Sequence, residues 1–513
     1  MRLQRVLVAT AAAGLVAGCG TTVPLAARSG QGLQSAQGGA GSADGSGSLQ
    51  QSGSAATQQI SPGGTTGTAA GQTSPGAALG AAPSASGPTA GPANVTAHSG
   101  PGSYSSIPLT GRGWDAKNVY IGVTVETDAS TIGGTIGYDS LDYGDQKKLI
   151  SAAIAAVNER GGVYGRKLTP IYYDVNSAGN TDSEAAEACA LWTQDNEVIS
   201  ASLVGLISNQ TMYTCMHKAH TPITTGLPDP YTAKDLAAYA PEMLNNAATI
   251  DRMVDPWITT LERLGYFGKW DSSKGAPGTA PVKIAILHKE IPYFDRAWEI
   301  VRKRLEQRGH HVVDVLSYTS ADSGSFGNFA LKMRADGVTH LLFDSAATLF
   351  YPSAAESQGF RARYAVTTYN SVLAFLVNGP VPKAQLAGMV GLGWSPLSDM
   401  REAQLGKQTP EQLRCLADEH RQGADTSKQN YRYIAYSACD GFNAIQLAAT
   451  YGHGLAETAL LGDLRKAMGV MTFANGFGGV PRTLDASTLA RARGFVFDAG
   501  CACTKYAGPI VSF

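Results

Sequence analysis

From Asn118 onward, short apolar runs alternate with stretches in which apolar residues recur every three or four positions. NVYIGVTV (118–125) reads as a buried strand. Asp145 to Arg160 reads as a helix with Leu149, Ile150, Ala153, Ile154 and Val157 on one face, stopped by Gly161-Gly162. LTPIYYDV (168–175) is the next strand, Thr181-Asp-Ser-Glu184 matches a capping box opening a second helix, and VISASLVGLI (198–207) is a third strand. A helix over 209–220 and a strand near Ile223 continue the alternation. A second series begins with a helix from Arg252 to Tyr266. It runs through strands at 282–288, 312–318 and 338–344, with helices from Tyr293 to Arg308 and over 326–336 between them. A helical region over 409–469 and the strand-like ARGFVFDAG (492–500) follow both series.

Strands alternating with helices imply parallel sheets joined by right-handed crossovers. Two such series predict an α/β protein of two lobes, with a chain crossing near residues 247–252. The segment from Lys269 to Pro281, rich in Gly, Ser and Pro, reads as a surface insertion.

The first hundred residues carry none of this periodicity. Arg2 and Arg5 precede an apolar run from Val6 to Ala17, too short for a membrane span of about 20 residues and shaped like a signal peptide. It ends in Val16-Ala17-Gly18-Cys19, which resembles a bacterial lipobox and makes Cys19 the expected lipidation site. Residues 20–107 are mostly Gly, Ser, Ala, Thr, Gln and Pro. Such a chain cannot bury enough apolar surface to offset its entropy, so a disordered tether is expected, with a reach of roughly 50 Å.

A formal net charge of −1 over 513 residues excludes a basic nucleic-acid footprint and a polybasic membrane patch. Of seven cysteines, six remain if Cys19 is lipidated, an even number in an exported chain. Cys189 and Cys215, on successive predicted helices, are paired first; Cys415, Cys439, Cys501 and Cys503 allow three pairings, a tight Cys501–Cys503 ring among them. The chain has no dinucleotide-binding glycine fingerprint, P-loop, nucleophile elbow or HExxH motif. His310-His311 reads as solvated rather than metal-binding, and no cofactor, metal or catalytic site is expected.

One segment carries a resemblance. AAVNERGGVYGRKLTPIYYDVNS, Ala155 to Ser177, is similar to the signature of type I periplasmic binding proteins of the leucine/isoleucine/valine-binding class, with Asn158, Gly161, Gly162, Gly165, Arg166, Lys167, Leu168 and Asp174 filling the pattern. The resemblance runs from about 118 to 513 and fades after 370. It implies two lobes joined by three crossings, the third near Gly391 to Pro396, closing on a small ligand at the carboxyl ends of the strands. In the first lobe it points to Ser208, Asn209, Thr224 and Thr225 as ligand contacts, Ser208 in the place of a carboxylate-binding serine. In the second lobe it points to Tyr293, Asp344, Ser345, Tyr369 and Asn370. The acid that would meet an α-ammonium is missing where such binders carry it, at Tyr369-Asn370, with Asp344 and Glu290 as replacements.

The organisation expected is a signal peptide over 1–19, a tether over 20–107, a first lobe from 108–250 and 396–480, and a second from 251–395 and 481–513. The function expected is that of an extracytoplasmic, lipid-anchored, monomeric solute-binding protein, not an enzyme, that delivers a small polar ligand such as an amino acid to an ABC permease. A sensing module for a membrane signalling partner is the alternative, and a surface enzyme the remaining one.

Overall fold

A computed structural model describes residues 107–512 except 139–140, 178, 204–208, 226–229, 241, 246, 320–322 and 478–490. Cys19 and the tether up to residue 106 lie outside the described residues. Among those described, no helix is long and apolar enough to cross a membrane.

The first series builds a five-stranded sheet of β1 (Asn118–Glu126), β2 (Lys167–Val175), β3 (Ser200–Leu203), β4 (Ile223–Thr225) and β5 (Met243–Asn245), in the order β2-β1-β3-β4-β5. Every neighbouring pair is parallel. Its helices are α1 (Ala129–Ile136), α2 (Gln146–Glu159), α3 (Thr181–Ala190), α4 (Gln210–Lys218) and the short α5 (Ala233–Ala237). β1 is buried along nearly its whole length because helices cover both faces of the sheet.

The motif behind the resemblance turns out to be fold chemistry. Gly162 N–H donates to Val157 O (3.0 Å) and Gly161 N–H to Asn158 O (3.1 Å), closing α2. Gly162 has φ +67°, and a Cβ there would lie 2.0 Å from Arg166 O. The Asn158 side chain then clasps β2, donating to Leu168 O (3.0 Å) and accepting from Leu168 N (2.7 Å). Arg166 is buried and donates to Asp115 O (2.7 Å) and Pro108 O (3.0 Å). These residues lock helix, turn and strand together.

The second series follows α6 (Ile250–Arg263). A small hairpin of β6 (Trp270–Asp271) and β7 (Ala276–Pro277) occupies the expected insertion. Then come β8 (Ile284–Lys289), α7 (Pro292–Gln307), β9 (Val312–Tyr318), α8 (Ser323–Ala335), β10 (His340–Phe343), α9 (Ser345–Ser357), β11 (Arg363–Thr367) and β12 (Val390–Gly393). The chain next runs through α10 (Pro396–Asp399), α11 (Pro410–Arg421), α12 (Gln429–Ala449) and α13 (Glu457–Val470). The core of the first sheet takes in buried residues of α11, α12 and α13. Finally β13 (Arg491–Asp498) and β14 (Cys503–Ser512) return to the second sheet, whose order is β14-β13-β12-β11-β10-β8-β9. β13 runs antiparallel to both its neighbours, β12 and β14, and the other pairs are parallel.

The segment expected to be the third crossing packs tightly. Asp399 is fully buried; Thr368 Oγ1 lies 2.9 and 3.0 Å from its two carboxylate oxygens and accepts from Trp394 N (2.9 Å). A Cβ on Gly393 would come 2.1 Å from Asp399 Oδ2, so only glycine leaves room for the carboxyl. Disulfides join Cys189 to Cys215, Cys415 to Cys439 and Cys501 to Cys503.

Three expectations are corrected. The second helix is capped by Asn180, whose side chain accepts from Asp182 N and Ser183 N, so Thr181 is its first residue; Glu184 accepts instead from Asn176 N. His310 is not merely solvated: its ring stacks on Phe267 at 3.5 Å and meets Glu262 at 2.9 Å. The chain after 500 forms a full strand, β14, which pairs along β13.

Candidate ligand site

In parallel sheets the strand carboxyl ends and the following helix N-termini face one crevice. In the first lobe Ser208 lies outside the described residues. Asn209 caps α4, its side-chain carbonyl accepting from Met212 N (3.0 Å) while its amide donates to Thr181 O (3.1 Å). The side chain therefore ties the starts of α4 and α3 together. Thr224 donates to Ala201 O on the neighbouring strand (3.4 Å). Thr225 ends β4, and its side chain is outside the described residues.

The second lobe is more telling. Asp344 follows β10 and caps α9: Oδ1 accepts from Ala347 N (2.8 Å) and Tyr318 O–H (2.6 Å), Oδ2 from Lys289 N (2.5 Å). Complete burial pushes this carboxyl above its usual range, against those three donors. Asn370 is equally committed, accepting from Thr367 N (2.9 Å) and donating to Phe343 O (2.9 Å), Asp344 O (3.1 Å) and Thr348 Oγ1 (3.1 Å). Tyr369 donates to Ala248 O (2.6 Å), in the segment expected to be the first crossing, and packs edge-on against Trp394 (4.7 Å).

Four of the nine expected contacts, Asp344, Ser345, Tyr369 and Asn370, line one pocket at the end of the second sheet. Its opposite wall is apolar: Ile250, Met253 and Trp257 from α6, Trp298 and Val301 from α7. The cavity is narrow, about 20 Å³, room for a water or two. Among the described residues the buried indole N–H groups of Trp257 and Trp298 meet no acceptor. Sequence reasoning placed Trp298 in the core and passed over Trp257; an unpaired donor is invisible without coordinates.

Tyr293 does not line that pocket. It stacks on Tyr231 with ring centroids 4.7 Å apart, and Tyr231 in turn meets Tyr213 edge-on (5.8 Å). This aromatic row runs from α7 of the second series into the first. Beside it Arg296 Nε donates to Asp235 Oδ1 (2.8 Å), and Asp235 Oδ2 accepts from the Thr232 hydroxyl (2.6 Å). Tyr138, after α1, makes another bridge, donating to Leu349 O (2.7 Å) with its ring edge-on to Phe375 (5.7 Å).

No family model matches the chain, and no curated protein matches it. Solved structures do. A possible leucine/isoleucine/valine-binding protein from Rhodopirellula baltica SH 1 is 10% identical, with 78% of this chain and 98% of that one covered and a TM-score of 0.55. A fatty acid ABC transporter substrate-binding protein from Thermomonospora curvata is 14% identical, with 79% and 95% covered and a TM-score of 0.54. A solute-binding protein of an ABC transporter from R. palustris, in complex with 4-hydroxybenzoate, is 14% identical, with 77% and 97% covered and a TM-score of 0.52. Two parallel-stranded sheets flanked by helices, with the second completed by returning strands, are thus the fold of the type I periplasmic binding proteins.

Proposed function

We propose that the protein is an extracytoplasmic solute-binding lipoprotein, anchored through Cys19 and serving an ABC permease as a monomer. Its lobes comprise 108–250 with 396–480, and 251–395 with 481–513. The fold and the strand-end pocket support this reading, as do the lipobox-like start and the tether-like segment over 20–107.

The pocket also argues for a ligand class. Leucine, 4-hydroxybenzoate and fatty acids, for which structural neighbours are named, each carry a carboxylate on an apolar body. The cavity as it stands holds only a water or two, so a solute would enter once the lobes part, its apolar body then meeting Ile250, Met253 and Val301. Among the described residues lining the pocket, the buried indole N–H groups of Trp257 and Trp298 lack an acceptor, and a carboxylate would supply one. Asp344 holds three internal donors, so it does not stand ready for an α-ammonium. An apolar carboxylate without an amino group therefore fits better than an α-amino acid. Ser208, Asn209, Thr224 and Thr225 would close the site from the first lobe.

The test is thermal unfolding of ligand-stripped protein against aliphatic and aromatic carboxylates, amino acids, amides and polyols. A true ligand at a hundredfold excess over Kd adds about 2.7 kcal/mol. Stabilisation by carboxylates and not by the matching amino acids is expected; no stabilisation by any solute overturns the reading.

A further inference from the structure

At the pole of the first sheet away from the pocket, three metal-ligating side chains converge that solute binding does not use. Glu242 immediately precedes β5, so it lies at the amino ends of parallel strands whose carboxyl ends face the crevice. Its side chain is only 2% exposed. Glu242 Oε2 lies 2.7 Å from His217 Nδ1, and Oε1 lies 3.3 Å from His220 Nδ1. His220 Nδ1 is in turn 3.8 Å from Oε1 of Glu457, the first residue of α13. Ligand atoms from His220, Glu242 and Glu457 all fall within 4.8 Å of one another.

The backbone at this point is unusual in a way that serves the side chain. α4 closes with Thr221 N–H donating to Met216 O (3.0 Å) and His220 N–H to His217 O (3.0 Å). That places His220 at φ +52°, the helix-end position that glycine ordinarily occupies. A histidine gains nothing there from backbone freedom. What it gains is an imidazole on the same carboxylate that His217 reaches from one turn earlier. The two glutamates bring carboxylate oxygens within 4.8 Å of each other and of the His220 ring nitrogen. Arg112 braces the turn beside them, donating to Ala219 O (2.6 Å) and Thr221 Oγ1 (3.1 Å).

We propose that His220, Glu242 and Glu457 bind a divalent cation of the zinc class, with His217 holding the second oxygen of Glu242. One imidazole nitrogen and two carboxylates, with solvent in the fourth position, are a donor set that zinc accepts. Bonds of about 2.0–2.1 Å give a tetrahedron with edges of about 3.3 Å, close to the 3.3 and 3.8 Å that separate His220 Nδ1 from Glu242 Oε1 and Glu457 Oε1. His220 is 68% exposed, which leaves a path for the ion. The cation would staple the end of α4 and the start of β5 to α13, a helix that joins this core only after the chain has visited the second sheet.

The test uses untagged, chelator-stripped full-length protein, titrated with Zn²⁺ by calorimetry and with Co²⁺ by visible absorption. Expected are a single equivalent of Zn²⁺, a tetrahedral Co²⁺ spectrum, and a raised melting temperature on saturation. Glu457→Gln and His220→Asn, the latter because asparagine tolerates this backbone conformation, should each weaken binding at least about tenfold. Neither should alter the response to solutes. Should His220→Asn fail to fold, Glu457→Gln decides, since that residue is partly exposed at a helix start. Absence of saturable Zn²⁺ binding in the wild type, or unchanged affinity in Glu457→Gln, overturns the proposal.

Discussion

Tyr231 and Tyr293 lie face to face, ring centroids 4.7 Å apart and planes 19° from parallel, one from the segment before α5 and the other from the first turn of α7. Such pairs contribute about 0.5–1.5 kcal/mol beyond simple area burial. If the stack holds the two sheets' edges together, Tyr293→Ala should favour a more open solute-free protein. Small-angle scattering should then show a larger radius of gyration, while Tyr293→Phe should leave it as in the wild type. An unchanged radius in Tyr293→Ala would assign the stack to local packing alone.

Arg296→Ala should add to that opening. The Asp235 side chain is 5% exposed and keeps its bonds to Thr232, while the guanidinium is 44% exposed. Half of the pair is thus solvent-screened, and the expected loss is about 1 kcal/mol. Denaturant melts at low and high salt check this: the deficit should shrink as salt rises.

Asp399 gives a pH signature. Burial pushes its carboxyl up to about 8 from an ordinary 3.8, against the hydrogen bond from Thr368. Between those values the folded chain keeps a proton that the unfolded chain has released. Stability from this group therefore falls as pH rises through that window, by about 1.4 kcal/mol per pH unit, and is level below 3.8 and above 8. Glu419, also raised to about 8 by burial and by nearby Asp418, adds a slope of the same sign. Asp399→Asn should melt higher than wild type at pH 8, with the gap closing toward pH 4; a gap independent of pH would contradict it.

Asn209 separates capping from binding. Asn209→Ala should cost about 1 kcal/mol through the lost cap on Met212 N. Asn209→Asp keeps the acceptor but loses the donor to Thr181 O, and should recover most of that stability. If the side chain also contacts solute, Asn209→Asp will bind a carboxylate ligand more weakly than wild type, as calorimetry would show.

Replacing Cys415 and Cys439 by Ala opens the link between α11 and α12, across a sequence separation of 24 residues. Loop-closure entropy puts the cost near 3 kcal/mol. Guanidinium melts of the oxidised double variant and the oxidised wild type should differ by about that amount.

The alternation of apolar runs places β1, β8 and β10, because they are buried on both faces and read as near-continuous apolar stretches. α1, β5, α5, α9, β11 and β12 go unpredicted; β5 and α5, of three and five residues, are too short to show a period. Asp344 and Asn370 stand out in sequence as polar residues at strand ends. Only coordinates show that their hydrogen bonds are internal, so that they shape a pocket wall instead of offering open donors and acceptors. Trp298 reads as an ordinary helical core residue and Trp257 draws no reading at all, since periodicity reports burial and says nothing of an unmet N–H. The histidines of α4 escaped notice because their partners Glu242 and Glu457 are far away along the chain.

The return of β13 to β12 has a consequence for biosynthesis. β12 ends at Gly393 and β13 begins at Arg491, so nearly a hundred residues leave the ribosome before that edge finds its neighbour. Throughout that interval a strand that is buried in the mature protein presents bare amides and carbonyls. Premature termination anywhere between these points therefore yields a sheet with a sticky margin, prone to pairing with other chains. Nascent protein is safest when kept unfolded until β13 has been made.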